Sequence, residues 1–370
     1  MGRVLLDGAQ RRDWLRLISS ENVGPITFRQ LINRFGSAGE AIKALPELAK
    51  RGGLQRPIRI GSEADAERDM KRIEALNARL VAYGEDDYPP LLREIDSAPP
   101  LLCLKGDTSV LTLPAVAIVG ARNASALGRK LARQLAAELG QAGYLIVSGL
   151  ARGIDTASHE ASLKSGTAAV VAGGIDVVYP PENEELHRAI GEGGVLIAEC
   201  MPGTVPKAEH FPRRNRLIAG ICYGTLVVEA ALRSGSLITA RIASEQGREV
   251  FAVPGSPLDP RAGGTNKLLR EGATLVTAAA DVIETLRPML GRAINVNEEM
   301  MREEDEHAAT YTASGRERDQ IMELLGPAPV EIDDLIRESR LKPSVVVAVV
   351  LELELAGLVK RHRRNLVSIA

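Results

Sequence analysis

The sequence predicts an α/β chain built on a doubly wound, mostly parallel sheet, with a small helical module on either side. Seven short apolar runs have strand length: residues 115–119, 144–147, 168–171, 195–198, 225–228, 250–253 and 273–276. Most of them follow a glycine able to close the preceding helix, namely Gly143, Gly166, Gly194, Gly247 and Gly272. Runs this apolar suit strands covered on both faces, and repeated helix, glycine, strand order is what a parallel sheet requires. The stretch from His210 to Gly255 shows the pattern best, with residues 236–246 as the crossover helix between two such strands.

Residues 1–82 read as a helical domain. Phe28, Leu31, Ile32 and Phe35 make one apolar stripe at i, i+3, i+4 and i+7. Asn22-Val23-Gly24-Pro25 starts that helix, with the proline near its first position. A hairpin of this kind can hold a DNA phosphate on its backbone amides, or simply belong to a small interaction domain; both readings stay open. Tyr88-Pro89-Pro90 and Pro99-Pro100 mark an extended connector, because a residue before proline is pushed out of the helical region. The sheet domain is expected over residues 83–288, followed by an acidic linker at 289–314 in which Glu298, Glu299, Glu303, Glu304, Asp305 and Glu306 crowd together.

Residues 315–370 suggest a winged helix, with helices near 316–325, 332–339 and 344–356 and two strands around a basic turn. A third helix that enters a major groove carries polar or basic residues near its start. This one reads SVVVAVVLELELAG. The wing is basic (Lys360, Arg361, His362, Arg363, Arg364) and suits weak phosphate contact, so an interaction module is favoured over a sequence reader.

Net charge is −2, so any nucleic-acid site is a local patch rather than a global field. Aromatics are only 3%, which argues against a platform of stacked rings. Cys103, Cys200 and Cys222 show no C-x-x-C spacing and read as reduced core thiols of a cytoplasmic protein. Neither a signal-like N-terminus nor a membrane-length apolar run is expected.

Candidate chemistry lies at the strand ends. The first strand runs into Gly120, Arg122, Asn123, Ser125 and Gly128, in the place of a phosphate loop but without G-x-G-x-x-G spacing, so no dinucleotide cofactor is expected. The second ends in Ser148, Gly149, Ala151 and Gly153, with Asp155 as a helix cap and His159 as a surface residue; an acid–base pair or metal site at these two is the less favoured reading. Lys207, Arg213, Arg214, Asn215 and Arg216 gather cations before the fifth strand, which suits an anionic partner or a solvated helix start. Glu199 and Glu229 end strands, where hydrolases keep acids, although Glu229 equally suits a structural role at the turn Ser234-Gly235-Ser236. Thr265 is a candidate N-cap, with Asn266 beside it. No metal-binding spacing is present.

VGARNAS–LG, SGLARGIDTASHEASL, GGIDVVYPPEN, FPRRNRLIAG, VVEAALRSGSLITARIASEQGREVFAVPG and GTNKLLREGATLV follow in one order over residues 115–276. Together they resemble the DNA-processing protein A family (DprA, also called Smf). The resemblance implies an extended Rossmann-like domain, an N-terminal SAM or helix-hairpin-helix module and a C-terminal winged helix. It also implies a non-enzymatic, single-stranded DNA-binding protein of natural transformation. Such a protein protects incoming strands, helps load RecA recombinase onto SSB-coated DNA and forms homodimers. The expected DNA-facing set is Gly120, Arg122, Ser125, Ser148, Gly149, Gly153, Lys207, Arg213, Arg214, Asn215, Arg216, Ser234, Gly235, Thr265 and Asn266. The family often carries an aromatic where this chain has Leu127, so stacking occurs elsewhere or the face is purely electrostatic.

The rival reading is a nucleoside-monophosphate phosphoribohydrolase of the LOG-like type, whose G-G-x-G-T-x-x-E motif corresponds here to Ile221 through Glu229. The double glycine is missing, and the glutamate comes one residue late, on the other face of a strand. A transcription regulator using the winged helix is disfavoured by its apolar third helix.

Overall fold

In the computed structural model, which describes residues 5–290, 313–362 and 365–370, the chain falls into two units, one mainly helical and one built on a nine-stranded sheet. The helical unit begins with α1 (Gly8–Ile18), entered through a capping box between Asp7 and Gln10. Pro25 starts α2 (Pro25–Phe35), and Ser37 caps α3 (Ala38–Arg51). Their stripes meet around Leu17, Phe28, Leu31 and Leu45. Helix α4 (Glu63–Ala75) carries the chain from this unit into the other.

The sheet has nine strands: β1 (Arg79–Ala82), β2 (Leu101–Gly106), β3 (Ala115–Val119), β4 (Leu145–Ser148), β5 (Thr167–Gly174), β6 (Val195–Cys200), β7 (Gly224–Val227), β8 (Glu249–Ala252) and β9 (Thr274–Leu275). Their order is β1-β2-β6-β5-β4-β3-β7-β8-β9. All seven expected strands are present and pair in parallel. β1 and β2 add an antiparallel edge outside β6, which the expected extended connector did not include. The expected boundary at residue 82 therefore cuts off a strand of the sheet.

Between strands run α5 (Ala126–Gln141), α6 (Ile154–Ser162), α7 (Glu184–Gly193), α8 (His210–Ile221), α9 (Gly235–Glu245) and α10 (Gly263–Arg270), with α11 (Ala279–Leu290) after β9. Every residue of β3, β4, β5 and β7 is buried, as a sheet covered on both faces demands. The chain winds from β3 out to β6, then restarts at β7 on the other side of β3. That reversal opens a crevice at the carboxyl end of β3, the place where open α/β sheets bind ligands.

The winged helix comprises α12 (Gly315–Leu324), β10 (Val330–Glu331), α13 (Ile332–Ser339), α14 (Pro343–Leu355), β11 (Val359–Arg361) and β12 (Leu366–Ile369). It belongs to the same unit as α1–α3, and Leu351 and Leu355 of α14 lie in the α1–α3 core. Most of the expected acidic linker, and Arg363 and Arg364 of the wing, lie outside the described residues. Among the described residues no helix is long and apolar enough to cross a membrane.

Candidate nucleic-acid interface

Three loops meet at the reversal point. After β3 comes residues 120–125, after β4 residues 149–153, and after β7 the turn into α9. They border a cleft of about 560 Å³, joined by α8 through Phe211, Pro212, Arg214 and Asn215. A neighbouring hollow of about 300 Å³ shares Arg122, Asn123, Ala151 and Phe211 and continues to Arg152, Tyr179 and Pro180. The two form one groove, with Arg122 and Phe211 where they join.

The loops are locked from beneath. Gly153 takes φ +80, and a Cβ there would lie 2.3 Å from the Ala121 carbonyl oxygen, so only glycine lets the second loop cross the first. Asp155 accepts the Gly149 and Ala151 N–H groups at 3.1 and 3.3 Å. It thus holds the loop before α6 rather than capping the helix as expected. Arg214 runs under the same loop, 7% exposed, and its Nη1 donates to the Gly149 oxygen at 2.7 Å and to the Val170 oxygen. A Cβ on Gly149 would strike this guanidinium at 2.6 Å. Burial lowers the Arg214 pKa to about 10 against the attraction of Asp155, and burial raises that of Asp155.

The acids expected at strand ends are already engaged. Glu229 accepts the Ser125 N–H at 2.9 Å and the Ser125 hydroxyl at 2.5 Å, while the same hydroxyl accepts Gly128 N–H at the start of α5. Glu229 is therefore a structural carboxylate, serving the first loop rather than the Ser-Gly-Ser turn. Glu199 receives Arg213 at 2.9 and 3.2 Å and Arg216 at 2.5 Å. His159 is fully buried instead of lying on the surface: Nδ1 sits 2.7 Å from Thr167 Oγ1, and burial drives its pKa down to about 3.

The expected DNA-facing residues divide accordingly. Gly120, Arg122, Asn215, Ser234 and Gly235 border the cleft, and Gly149 borders the adjoining hollow. Lys207 is exposed ahead of α8, and Arg213 is half exposed while paired to Glu199. Ser125 is spent on its cap and on Glu229. Ser148 is buried, its hydroxyl donating to the Ile118 oxygen at 2.6 Å. Arg214 and Arg216 are interior braces. Thr265 is 1% exposed and donates to the Ala262 oxygen from inside α10, so it is not an N-cap. Asn266 pins Gly255 through both its amide nitrogen and its oxygen.

Composition missed an aromatic feature. Tyr179 and Phe211 lie with ring centroids 5.4 Å apart, and the Arg122 guanidinium sits 5.3 Å from the Phe211 centroid. Tyr179 is 45% exposed. Arg233 adds positive charge at the α9 end of the cleft, where Arg261 is paired to Asp259 at 3.1 Å. Arginines, amides and a pair of rings tilted 57° to each other make a surface that suits an extended polyanion carrying flat bases.

Known proteins are similar to this chain in sequence and fold. The family model "DNA recombination-mediator protein A" matches residues 79–287, "DprA-like N-terminal HHH domain" residues 8–71, and "DprA winged helix domain" residues 305–363. The DNA processing protein DprA of Streptococcus pneumoniae is 48% identical over 201 residues, 54% of this chain and 71% of that protein. Protein Smf of Escherichia coli is 36% identical over 77% of this chain and 76% of its own. The crystal structure of the pneumococcal protein aligns with TM-score 0.62 at 38% identity, covering 73% of this chain and 95% of that one. DNA processing protein A from Helicobacter pylori, whose structure concerns its single-stranded DNA binding mode, aligns with TM-score 0.53 at 28% identity, covering 57% and 96%. With its sheet domain, helical domain and winged helix all matched, this chain belongs to the DprA/Smf family of DNA-processing, recombination-mediator proteins.

Proposed function

We propose that this chain binds single-stranded DNA along the groove between the β3, β4 and β7 loops, gripping phosphates and stacking bases without reading sequence. The observation that carries the proposal is the Arg122–Phe211–Tyr179 array at the junction of the two hollows. Among the described residues bordering the cleft, Asp155 is the one acidic side chain, and it is turned to the backbone beneath. The Helicobacter relative's single-stranded DNA binding supports the same reading. Loading of RecA onto SSB-coated strands, a homodimeric state, a role in natural transformation and a cytoplasmic setting are proposed with it on family grounds. A non-catalytic role is proposed because Glu229 and Glu199 are held by Ser125 and two arginines, which leaves neither poised to activate water for the phosphoribohydrolase reaction.

Fluorescence anisotropy on labelled oligonucleotides at several salt concentrations separates the two kinds of contact. Arg122→Ala is expected to weaken every single-stranded sequence alike by about 1–3 kcal/mol and to flatten the log Kd against log salt slope by about 0.7. Phe211→Ala is expected to lose about 1–3 kcal/mol with the slope nearly unchanged, as loss of stacking does. Equal affinity for duplex, insensitive to both changes, would overturn the proposal and make nucleoside-monophosphate hydrolysis the next assay.

A further inference from the structure

A winged helix of this length has one small core, and its third helix ordinarily buries one face there and leaves the other for a partner. Here α14 has nine of its thirteen residues buried. Val346, Val349, Val350 and Leu353 fill the module's own core. Leu351 and Leu355 instead enter the core of α1–α3, against residues such as Phe28, Leu31 and Leu48. A helix that is apolar all round must be covered all round.

Further contacts tie the same surfaces. Asn22 Nδ2 donates to the Leu355 oxygen at 3.0 Å, and Arg361, held within the winged helix by Glu354 at 3.3 Å, reaches Gln30 Oε1 at 3.4 Å. Glu352 is fully buried, with Arg51 of α3 at 3.9 Å and Arg318 of α12 at 3.5 Å, so one carboxylate is shared by cations of both modules. Gly52 ends α3 against the α14 backbone: a Cβ there would lie 1.9 Å from the Glu352 carbonyl oxygen and 2.8 Å from Ala356 Cβ. The φ of Gly52 is −63°, open to any residue, so its lack of a side chain answers to the close approach of α14 alone.

We infer that the winged helix is an internal clasp whose partner is this chain's own N-terminal helical domain, engaged through the face of α14 that a DNA-reading module would lay in a groove. Apolar side chains match apolar side chains across the contact, and the Glu352 carboxylate faces the arginine side of α2 and α3, where Arg34 also bears on it. The third helix is thereby withdrawn from nucleic acid, and the two ends of the chain are fastened to each other. The inference stands independently of single-strand binding in the β3–β7 groove.

Hydrogen–deuterium exchange on the full chain tests it with Gly52→Ala, which adds one methyl group that α3 itself accommodates. Amides of residues 351–355 and 48–52 are expected to exchange at least ten-fold faster together in the variant. Amides at Val346 and Val349, and those of the sheet, should keep their protection, and single-strand affinity should stay unchanged. Unchanged exchange in both segments, or acceleration in α3 alone, would overturn the clasp. Protection of α14 that rises with protein concentration would replace the chain's own domain with that of a second copy. Protection of α14 by added duplex DNA would return the helix to groove binding.

Discussion

Arg214→Ala is expected to destabilise the sheet domain by about 3–5 kcal/mol and to abolish single-strand binding with it. The guanidinium is buried beneath the residue 149–153 loop, donates to two backbone oxygens and faces a buried carboxylate. Its loss leaves Asp155 without a countercharge and two carbonyls without a donor, each costly away from water. Chemical denaturation should show a lower midpoint at nearly constant slope. Arg214→Lys should recover only part, since one ammonium cannot span the same acceptors. Adding Asp155→Asn to Arg214→Ala should restore stability relative to Arg214→Ala alone, because the unpaired charge is then gone. A variant of native stability that merely fails to bind DNA would show Arg214 to be a surface contact instead of a brace.

This case shows where the sequence was legible. The central parallel strands could be read because burial on both faces leaves continuous apolar runs. β1 and β2 could not, since they flank the proline-bearing connector and β2 alone joins them to the sheet, through a long-range antiparallel pairing with β6. The loops of the site stood out by their small residues, and the cations by their clustering. Which cation points inward depends on helix rotation. Arg213 and Arg216, three residues apart on α8, share a face and both reach Glu199, whereas Arg214 turns to the β4 loop. The spacing of three, set beside a glutamate closing the preceding strand, was the available signal. Tyr179 and Phe211 lie far apart in the chain, and a low aromatic content concealed that folding brings their rings together. The apolar third helix announced burial, but its cover lies some three hundred residues upstream, beyond the reach of local pattern.

Histidine 159 makes the sheet domain acid-labile, and this is the second large effect expected. The fully buried His159 ring has its pKa driven from 6.5 to about 3, first by loss of hydration and then by the nearby Arg214 charge. In the unfolded chain the ring takes up a proton near its ordinary value, while the folded protein keeps it neutral. Its contribution is therefore complete above pH 6.5 and drains away as pH falls toward 3. That fall corresponds to about 2 kcal/mol lost by pH 5 and about 4 kcal/mol by pH 3. His159→Leu removes the proton-linked part at small cost. Nε2 has no partner to lose, and Thr167 Oγ1 keeps its bond to the Ile146 oxygen at 3.1 Å. Denaturation followed by far-UV circular dichroism is the measurement, because the single tryptophan, Trp14, lies in the helical unit and does not report on the sheet. The two proteins should be nearly equal at pH 8, with the leucine variant gaining steadily over the parent below pH 6.5. Parallel stability curves from pH 7 to pH 4 would place the acid lability in the carboxylates that both proteins share.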